Sequence, residues 1–468
     1  MIPPIRVDQF VDEQKFGSFH LNLFFWSFLA MFADGFDLNA LSYAQPELQT
    51  LWHVPKAAFG PVVSASLFGI LIGAPLFGLV GDRFGRRNAI VASSMIYGFF
   101  TLLVVWTHSL LQIEILRLIT GIGLGGIMPN TIALNSELAP RRLRARLVTL
   151  MFIGITFGSA TPGVVAYWLV PQYGWTVLFI VGGIGSVALA AALALRLPES
   201  VKFLALRPQR RRELLVTLRR IRPETALADD VAVVADTPPS AGSSEAAGLR
   251  QMFKGSLGLI TALLWVCFTM ALMANFFLNS FLPLIFSSAM DKRQAALLAA
   301  IFPVGGSVGG VLISVLVDRF GVIVIAALFA LAVPAIAAHG MVHPVFAALA
   351  PLTMLSGLAV QGAQFGNNAA AGLLYPTTFR AKGVGWALGI GRFGAVVGPL
   401  LGSRLLELPL RQLFLAAAIP MLIGTCAATL LGWSCYKRLG GLQLSDVPID
   451  RRIAGRLNGP GASVLPPG

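Results

Sequence analysis

GLVGDRFGRR, residues 78–87, and SVLVDRFGV, residues 314–322, share the run Asp-Arg-Phe-Gly at an offset of 236 residues. Each copy stands between two long apolar runs. A second pair keeps the same offset: Pro140 and Arg144 of APRRLRA match Pro376 and Arg380 of YPTTFRA. Gly158 and Gly394 stand in that register too, although Gly154 has only Ile390 opposite it. Two such correspondences in one register are hard to obtain by chance. A matched glycine adds little in a chain that has 49 of them. The chain therefore reads as a tandem duplication of a six-helix unit, residues 1–196 and 257–436, with a linker at 197–256 and a tail at 437–468.

Composition says what surrounds those units. Of the 468 residues, 56% are hydrophobic and only 12% are charged, against about 25% charged in a soluble globular protein. Mean hydropathy is +0.77. So much apolar surface exceeds what one soluble core buries, and its solvent must be lipid. The net charge of +14 raises the question of a nucleic-acid partner. The placement of the charges argues against one, because Arg and Lys gather in short loops on one side, as in membrane proteins. Cys267, Cys426 and Cys435 all fall in apolar stretches with no C-x-x-C spacing, so neither a disulfide framework nor a zinc site is indicated. No nucleotide loop, metal cluster or Ser/His/Asp spacing supports an enzyme, and no cofactor is expected. The opening MIPPIRVDQFVDEQKFG is polar and of mixed charge, unlike a cleavable signal peptide.

A helix crossing about 30 Å of hydrocarbon needs roughly 20 apolar residues. Twelve runs qualify: 21–44, 57–80, 88–107, 111–134, 146–170, 175–196, 257–286, 295–317, 321–341, 344–372, 383–404 and 411–436. The expected fold is all-α, two six-helix bundles related by a pseudo-two-fold axis along the membrane normal, with a binding site near the midplane between them. One set of loops carries Arg83, Arg86, Arg87, Arg141, Arg142, Arg144, Arg146, Arg319, Arg380 and Lys382; the other holds Lys56, Lys292, Arg293, Arg404 and Arg411. The basic set, and with it both termini, is expected in the cytoplasm. Within the linker, RPQRRRELLVTLRRIRPE reads as a helix along anionic headgroups or as a solvated connection between bundles. Residues 236–248 and the tail after Arg438 are expected to be loose.

Charges inside apolar runs point to function. Asp34 and Asp37 lie within the first run, where a carboxylate costs roughly 2.5–3.5 kcal/mol. Three apart, they are neighbours on one helix face. Low dielectric and like charge both favour binding a proton, so the pair is expected to titrate as a coupled unit and serve as proton carrier. Arg117 opens the polar face of the fourth run, ahead of Gly121, Gly123 and Gly125. Arg392 lies deeper in the eleventh. A guanidinium fork fits an anionic group, so one arginine is expected to contact substrate and the other to pair with an aspartate. Arg392 is the better placed for substrate. Gln361, Asn367 and Asn368 put amides on the tenth run, and Asn275 and Asn279 on the seventh. Phe276, Phe277 and Phe281 offer rings for stacking. His20, His53, His108, His339 and His343 sit at run ends or loops, so the aspartates are the preferred proton carriers.

In the first loop copy, Gly78 and Gly85 let helix ends approach, and Asp82 can accept from a helix N-terminus or an arginine. Arg83, Arg86 and Arg87 hold the loop on its side and are expected to pair across the halves as a gate. The second copy keeps Asp318, Arg319 and Gly321 but has Ser314 for the first glycine and lacks the following arginines. Glu137 and Arg144 are expected to form a further pair.

On these residues the chain resembles the major facilitator superfamily, across residues 20–436. Within it, FADGFDLNALSYAQPEL in the first run and RLITGIGLGGIMPNTIALNSELAPRRLRA at 117–145 resemble the aromatic acid:proton symporter family. The resemblance implies a multi-pass inner-membrane protein, working as a monomer, that imports benzoate-like aromatic carboxylates with protons. Phe277 and Phe281 stand where that family often has Tyr and Trp, and Leu373 stands opposite Glu137. GAVVGPLLG at 394–402 has an antiporter look, which keeps a drug or metabolite exporter as the alternative. A transporter-like receptor would need an output module that the linker and tail do not supply.

Overall fold

The computed structural model describes residues 5–14, 17–222, 233–234, 252–253, 256–375 and 380–439. The loose segments expected at 236–248 and 440–468, together with Pro376, lie outside these residues, as does the side chain of Asp318.

The described chain is helical apart from a two-residue pairing of β1 (Ile5–Arg6) with β2 (Val233–Val234). The long helices of the first repeat are α2 (Ser18–Trp52), α3 (Phe59–Phe84), α4 (Arg86–Leu103), α5 (Leu110–Gly125), α6 (Ile127–Leu138), α7 (Arg141–Tyr173) and α8 (Thr176–Arg196). Three short helices join them: α1 (Val7–Asp12) in front, then α9 (Val201–Ala205) and α10 (Arg211–Ile221) behind. The second repeat supplies α11 (Ser256–Ser287), α12 (Lys292–Phe320), α13 (Val322–Ala338), α14 (Phe346–Leu374), α15 (Arg380–Leu405) and α16 (Leu410–Leu439).

Among the described residues, eleven helical stretches are long and apolar enough to cross a membrane, with α5 and α6 counted as one. Their break at Gly126 follows from Pro129, which cannot donate to the Gly125 carbonyl. The twelfth expected span, 321–341, forms α13. It is apolar but 17 residues long, about 26 Å at 1.5 Å per residue. Several helices run past the expected spans, α2 to Trp52 and α3 to Phe84. Hydropathy marks where lipid ends, whereas a helix ends where a backbone signal stops it: α3 stops at Gly85, φ 104°. Exposed apolar side chains such as Leu79, Trp168, Leu195 and Val315 face outward, as helices solvated by lipid require.

The chain divides into two compact units. The first comprises Met1–Ala241 and Ser280–Ala300, the second Gly242–Asn279 and Ile301–Gly468. In the first unit α3 packs on α5, α2 on α7 and α4 on α8. Glycine permits the closest crossings. A Cβ on Gly69 would run into the Leu118 carbonyl oxygen, on Gly73 into that of Ile122, and on Gly121 into that of Ser66. The second unit repeats the arrangement between α12 and α14, where Gly305 meets the Met354 oxygen, Gly309 that of Leu358 and Gly357 that of Phe302. Every residue of the second set lies 236 positions after its counterpart. The turn glycines Gly85 (φ 104°) and Gly321 (φ 66°) keep the same spacing. Gly158, which seemed to carry little, presses on the Phe32 oxygen as Gly394 presses on that of Thr269.

Within the linker, α10 departs from a helix lying on headgroups. Its apolar residues Leu214, Leu218 and Ile221 join the buried cluster of Val7, Phe10, Val11, Leu138 and Leu204. Arg211, Arg212, Arg219 and Arg220 are exposed. The heptad-like stripe is taken up by the protein's own α1 and α9, not by lipid.

Candidate functional site

Asp37 is fully buried midway along α2, and Arg117 of α5 is buried with it. One guanidinium nitrogen, Nη2, donates to Asp37 Oδ2 at 2.8 Å and to the Asp37 carbonyl oxygen at 2.8 Å. Nε donates to Ser66 Oγ of α3 at 3.1 Å. Thr101 of α4 donates to Asp37 Oδ1. The Phe179 ring lies 5.9 Å from the guanidinium carbon. Helices α3, α4 and α5 thus converge on the pair. Attraction in so dry a place is strong, but it only repays desolvation when geometry is good and remaining polar atoms are matched. Here they are matched except for Arg117 Nη1, which has no partner in the protein. Asp34, one turn earlier, is half-buried. Both aspartates neighbour the buried side chain of Tyr97 on α4.

Sequence placed the aspartates here but left Arg117 between substrate and Asp. The structure gives it Asp37. Thr101, Ser66 and Tyr97 were missed. For Tyr97 and Thr101 the signal was the spacing Ser93, Tyr97, Thr101, four apart and therefore on one face of an apolar helix; Ser66 on α3 had none.

A second polar cluster surrounds GLVGDRFGRR, within the same unit. Arg86 reaches Asp82 at 2.5 Å and Glu137 at 3.6 Å, and its Nη1 donates to Asn130 Oδ1 at 3.4 Å. Arg87 donates its backbone N–H to Glu199 at 3.2 Å and its side chain to the Ala194 carbonyl, and lies 3.8 Å from Glu213. The Arg83 carbonyl accepts from Arg207. Glu137 accepts from Ser200, while Arg144 faces Asp12 of α1 at 4.0 Å. The expected Glu137–Arg144 pair is therefore replaced: the turn at Pro140 sends Arg144 toward the N-terminal helix and leaves Glu137 to Arg86. Gly85 is needed twice over, since a Cβ there would also strike Glu199. Gly78 has nothing within 4 Å of a built Cβ.

Glu199 and Ser200, in LPESVKFL, were given no role from sequence. Glu199 Oε1 accepts from the N–H of Arg87 in the first turn of α4, where a helix dipole favours a carboxylate, and from the N–H of Ser200, which caps α9. Burial nevertheless pushes the Glu199 carboxyl above its ordinary value of 4.5.

The candidates of the second repeat are spread over four helices. Arg392 is half-buried on α15. On α14, Gln361 lies against Gly306 of α12, and Asn367 is buried with both amide atoms lacking a protein partner. Phe277 of α11 is buried against Gly402 of α15. Phe281, one turn on, belongs to the first unit and is fully buried. Arg319 is exposed at the end of α12. His20 and His339 sit at helix ends as expected, yet both are buried, His339 stacked on Phe414 at 5.1 Å.

Residues 27–273 and 264–439 match the family model of the Major Facilitator Superfamily. The 4-hydroxybenzoate transporter PcaK of Pseudomonas putida is 35% identical over 432 residues, 92% of this chain and 96% of that protein. A gallate transporter of Pseudomonas putida is 33% identical, over 87% of this chain and 90% of its own length. The benzoate transport protein of Acinetobacter baylyi is 30% identical, over 91% and 92%. Among solved structures, the xylose transporter XylE from E. coli in a partially occluded inward open conformation superposes with a TM-score of 0.67 at 19% identity. That match covers 90% of this chain and 98% of that one.

Proposed function

We propose, for a chain that belongs to the Major Facilitator Superfamily, the uptake of an aromatic carboxylate together with protons, by alternating access across the inner membrane. It is a multi-pass membrane transporter and not an enzyme. One observation carries the proton part of this reading: a carboxylate and a guanidinium, 0% and 1% exposed, paired at 2.8 Å inside membrane-spanning helices. A protonated Asp37 cannot hold Arg117 as an ion pair, so binding a proton there unlocks α2 from α5. Asp34, half-buried one turn away, is the second site for a proton.

The substrate part is supported by relatives named for hydroxybenzoate, gallate and benzoate transport. Arg392 is the candidate for the carboxylate, because Arg117 is committed to Asp37. Gln361, Asn367, Phe277 and Phe281 are candidates for the ring and its substituents. The cluster around Asp82, Arg86, Arg87 and Glu137 is the candidate gate. Energetics favours coupling. Bringing a monoanion into an inside-negative cell costs about 2.3 kcal/mol per 100 mV; one accompanying proton cancels that cost. The basic loops put both termini in the cytoplasm, and a monomer is the proposed working unit.

The test is uptake of radiolabelled 4-hydroxybenzoate into proteoliposomes under an imposed inward proton gradient. The reading expects accumulation that collapses with a protonophore and is competed by benzoate and gallate. Absence of uptake, with exit from loaded vesicles driven by the opposite gradient, replaces it with an exporter.

A further inference from the structure

The geometry points to a proton route inside the first unit that leaves Asp37 along one face of α4 and ends at the Asp82 loop. It rests on the proton coupling proposed above and adds to it a path and the residues that form it.

The path is marked by hydroxyls with nothing to bond. Ser93 Oγ, Ser94 Oγ and Tyr97 Oη on α4, and Thr120 Oγ1 on α5, are buried without a hydrogen-bond partner in the protein, as is Arg117 Nη1. Tyr97 Oη stands within reach of the hydroxyls of Ser94 and Ser186. Gly98 brings α8 this close, since a Cβ on it would lie 2.9 Å from Ser186 Cβ. A buried polar group left unmatched costs about 1–3 kcal/mol, and protein interiors meet that need with ordered water. Three of these atoms lie within about 6 Å of rise on α4, from Ser93 to Tyr97, and the other two lie within one turn of α5, which packs on α4. They specify a line of bound water in an apolar bundle.

Both ends of the line are anchored. At one end Thr101 donates to Asp37. At the other, Gly126 leaves room for Ser93 Oγ, which a Cβ there would strike. Asn130, one turn on, donates to the Gly126 carbonyl at 2.8 Å and accepts from Arg86, which holds Glu137 and Asp82. The Asp82 side chain is 63% exposed. The charged groups facing the route are Asp34 and Asp37 from α2, Arg117 from α5, and Arg86, Asp82 and Glu137 at its loop end; α8 faces it with Ser186.

The transfer balances without a co-reactant. Asp37 gives its proton to water at Tyr97. Each hydroxyl and water in line accepts one proton and releases its own to the next; Asn130 and Arg86 only position the end of the line, and water carries the last proton past them to Glu137 or Asp82 and on to bulk. No hydroxyl changes charge. The substrate candidates Arg392, Gln361 and Asn367 stand on helices outside the first unit, so the two functions are separable by mutation.

Tyr97→Phe keeps the ring and removes one oxygen. The experiment records 4-hydroxybenzoate-driven proton entry with an internal pH dye in proteoliposomes, beside counterflow exchange, which needs no net proton movement. Wild-type proton entry with substrate is the prerequisite; its absence removes the proton-coupling reading itself. The route predicts that Tyr97→Phe slows proton entry at least tenfold while counterflow stays within twofold. Proton entry at the wild-type rate overturns the route. Should Tyr97→Phe also lose counterflow, the Ser93→Ala Ser94→Ala double variant is read in the same way, and wild-type proton entry in it overturns the route equally.

Discussion

A charge in a membrane-spanning bundle is costly alone, and Asp37 and Arg117 are held where neither can reach water. Removing one partner of a buried pair leaves the other uncompensated, typically at about 3–5 kcal/mol, whereas removing both is far cheaper. Arg117→Gln is therefore expected to lower thermal stability in detergent more than the double change Asp37→Asn Arg117→Gln does. Additive losses would contradict the pairing. Glu199 makes a prediction of opposite kind. Its carboxyl is raised by burial, so its ionised form is held at a cost. Stability linked to it is fully present below the ordinary value of 4.5 and is lost as pH rises through the raised value in the folded protein. Glu199→Gln keeps an acceptor for the N–H groups of Arg87 and Ser200 and removes that dependence. Its melting temperature relative to wild type should rise as pH climbs above 4.5; a difference independent of pH would refute this. At this scale the sequence was only partly legible. Asp34 and Asp37 stand out because a carboxylate in an apolar run has no bland explanation. Their partners do not, because 80 residues separate Asp37 from Arg117 and hydroxyls such as Thr101 are ordinary in membrane helices.

Helices in lipid gain little from apolar burial against one another, so close backbone approach holds them. Gly73 and Gly309 carry this at equivalent crossings, each under the carbonyl of a neighbouring helix. Gly73→Ala and Gly309→Ala should each destabilise the protein by about 1–3 kcal/mol, the usual cost of overpacking. Gly78→Ala, with nothing within 4 Å, should leave the melting temperature unchanged. Equal effects at the three positions would mean that the crossings do not carry the fold. The twelve spans were legible because hydropathy has a length scale set by the bilayer. Their ends were not, because helices such as α2 run on through polar residues until a cap stops them. The offset of 236 was readable from Asp-Arg-Phe-Gly. The glycine crossings that repeat it were hidden among 49 glycines and became visible only once carbonyl contacts were known. The stretch that forms α10 was readable as a helix on headgroups or as a solvated connection, but its sequence does not say that the protein's own α1 and α9 cover its apolar side.

Over the whole molecule, the proposed mechanism couples the gradient to transport through binding and release of a proton at Asp37, and substrate exchange does not need the release. Asp37→Asn imitates the protonated residue permanently. The variant should exchange external labelled 4-hydroxybenzoate for internal unlabelled substrate. It should not concentrate that substrate under an inward proton gradient. The decisive measurement is gradient-driven accumulation by Asp37→Asn in proteoliposomes, read beside its counterflow. Retained counterflow with at least a tenfold loss of accumulation is the predicted result. Accumulation at the wild-type level would contradict the claim, because a carboxylate that can be neutralised without cost to the gradient's work cannot be what couples it.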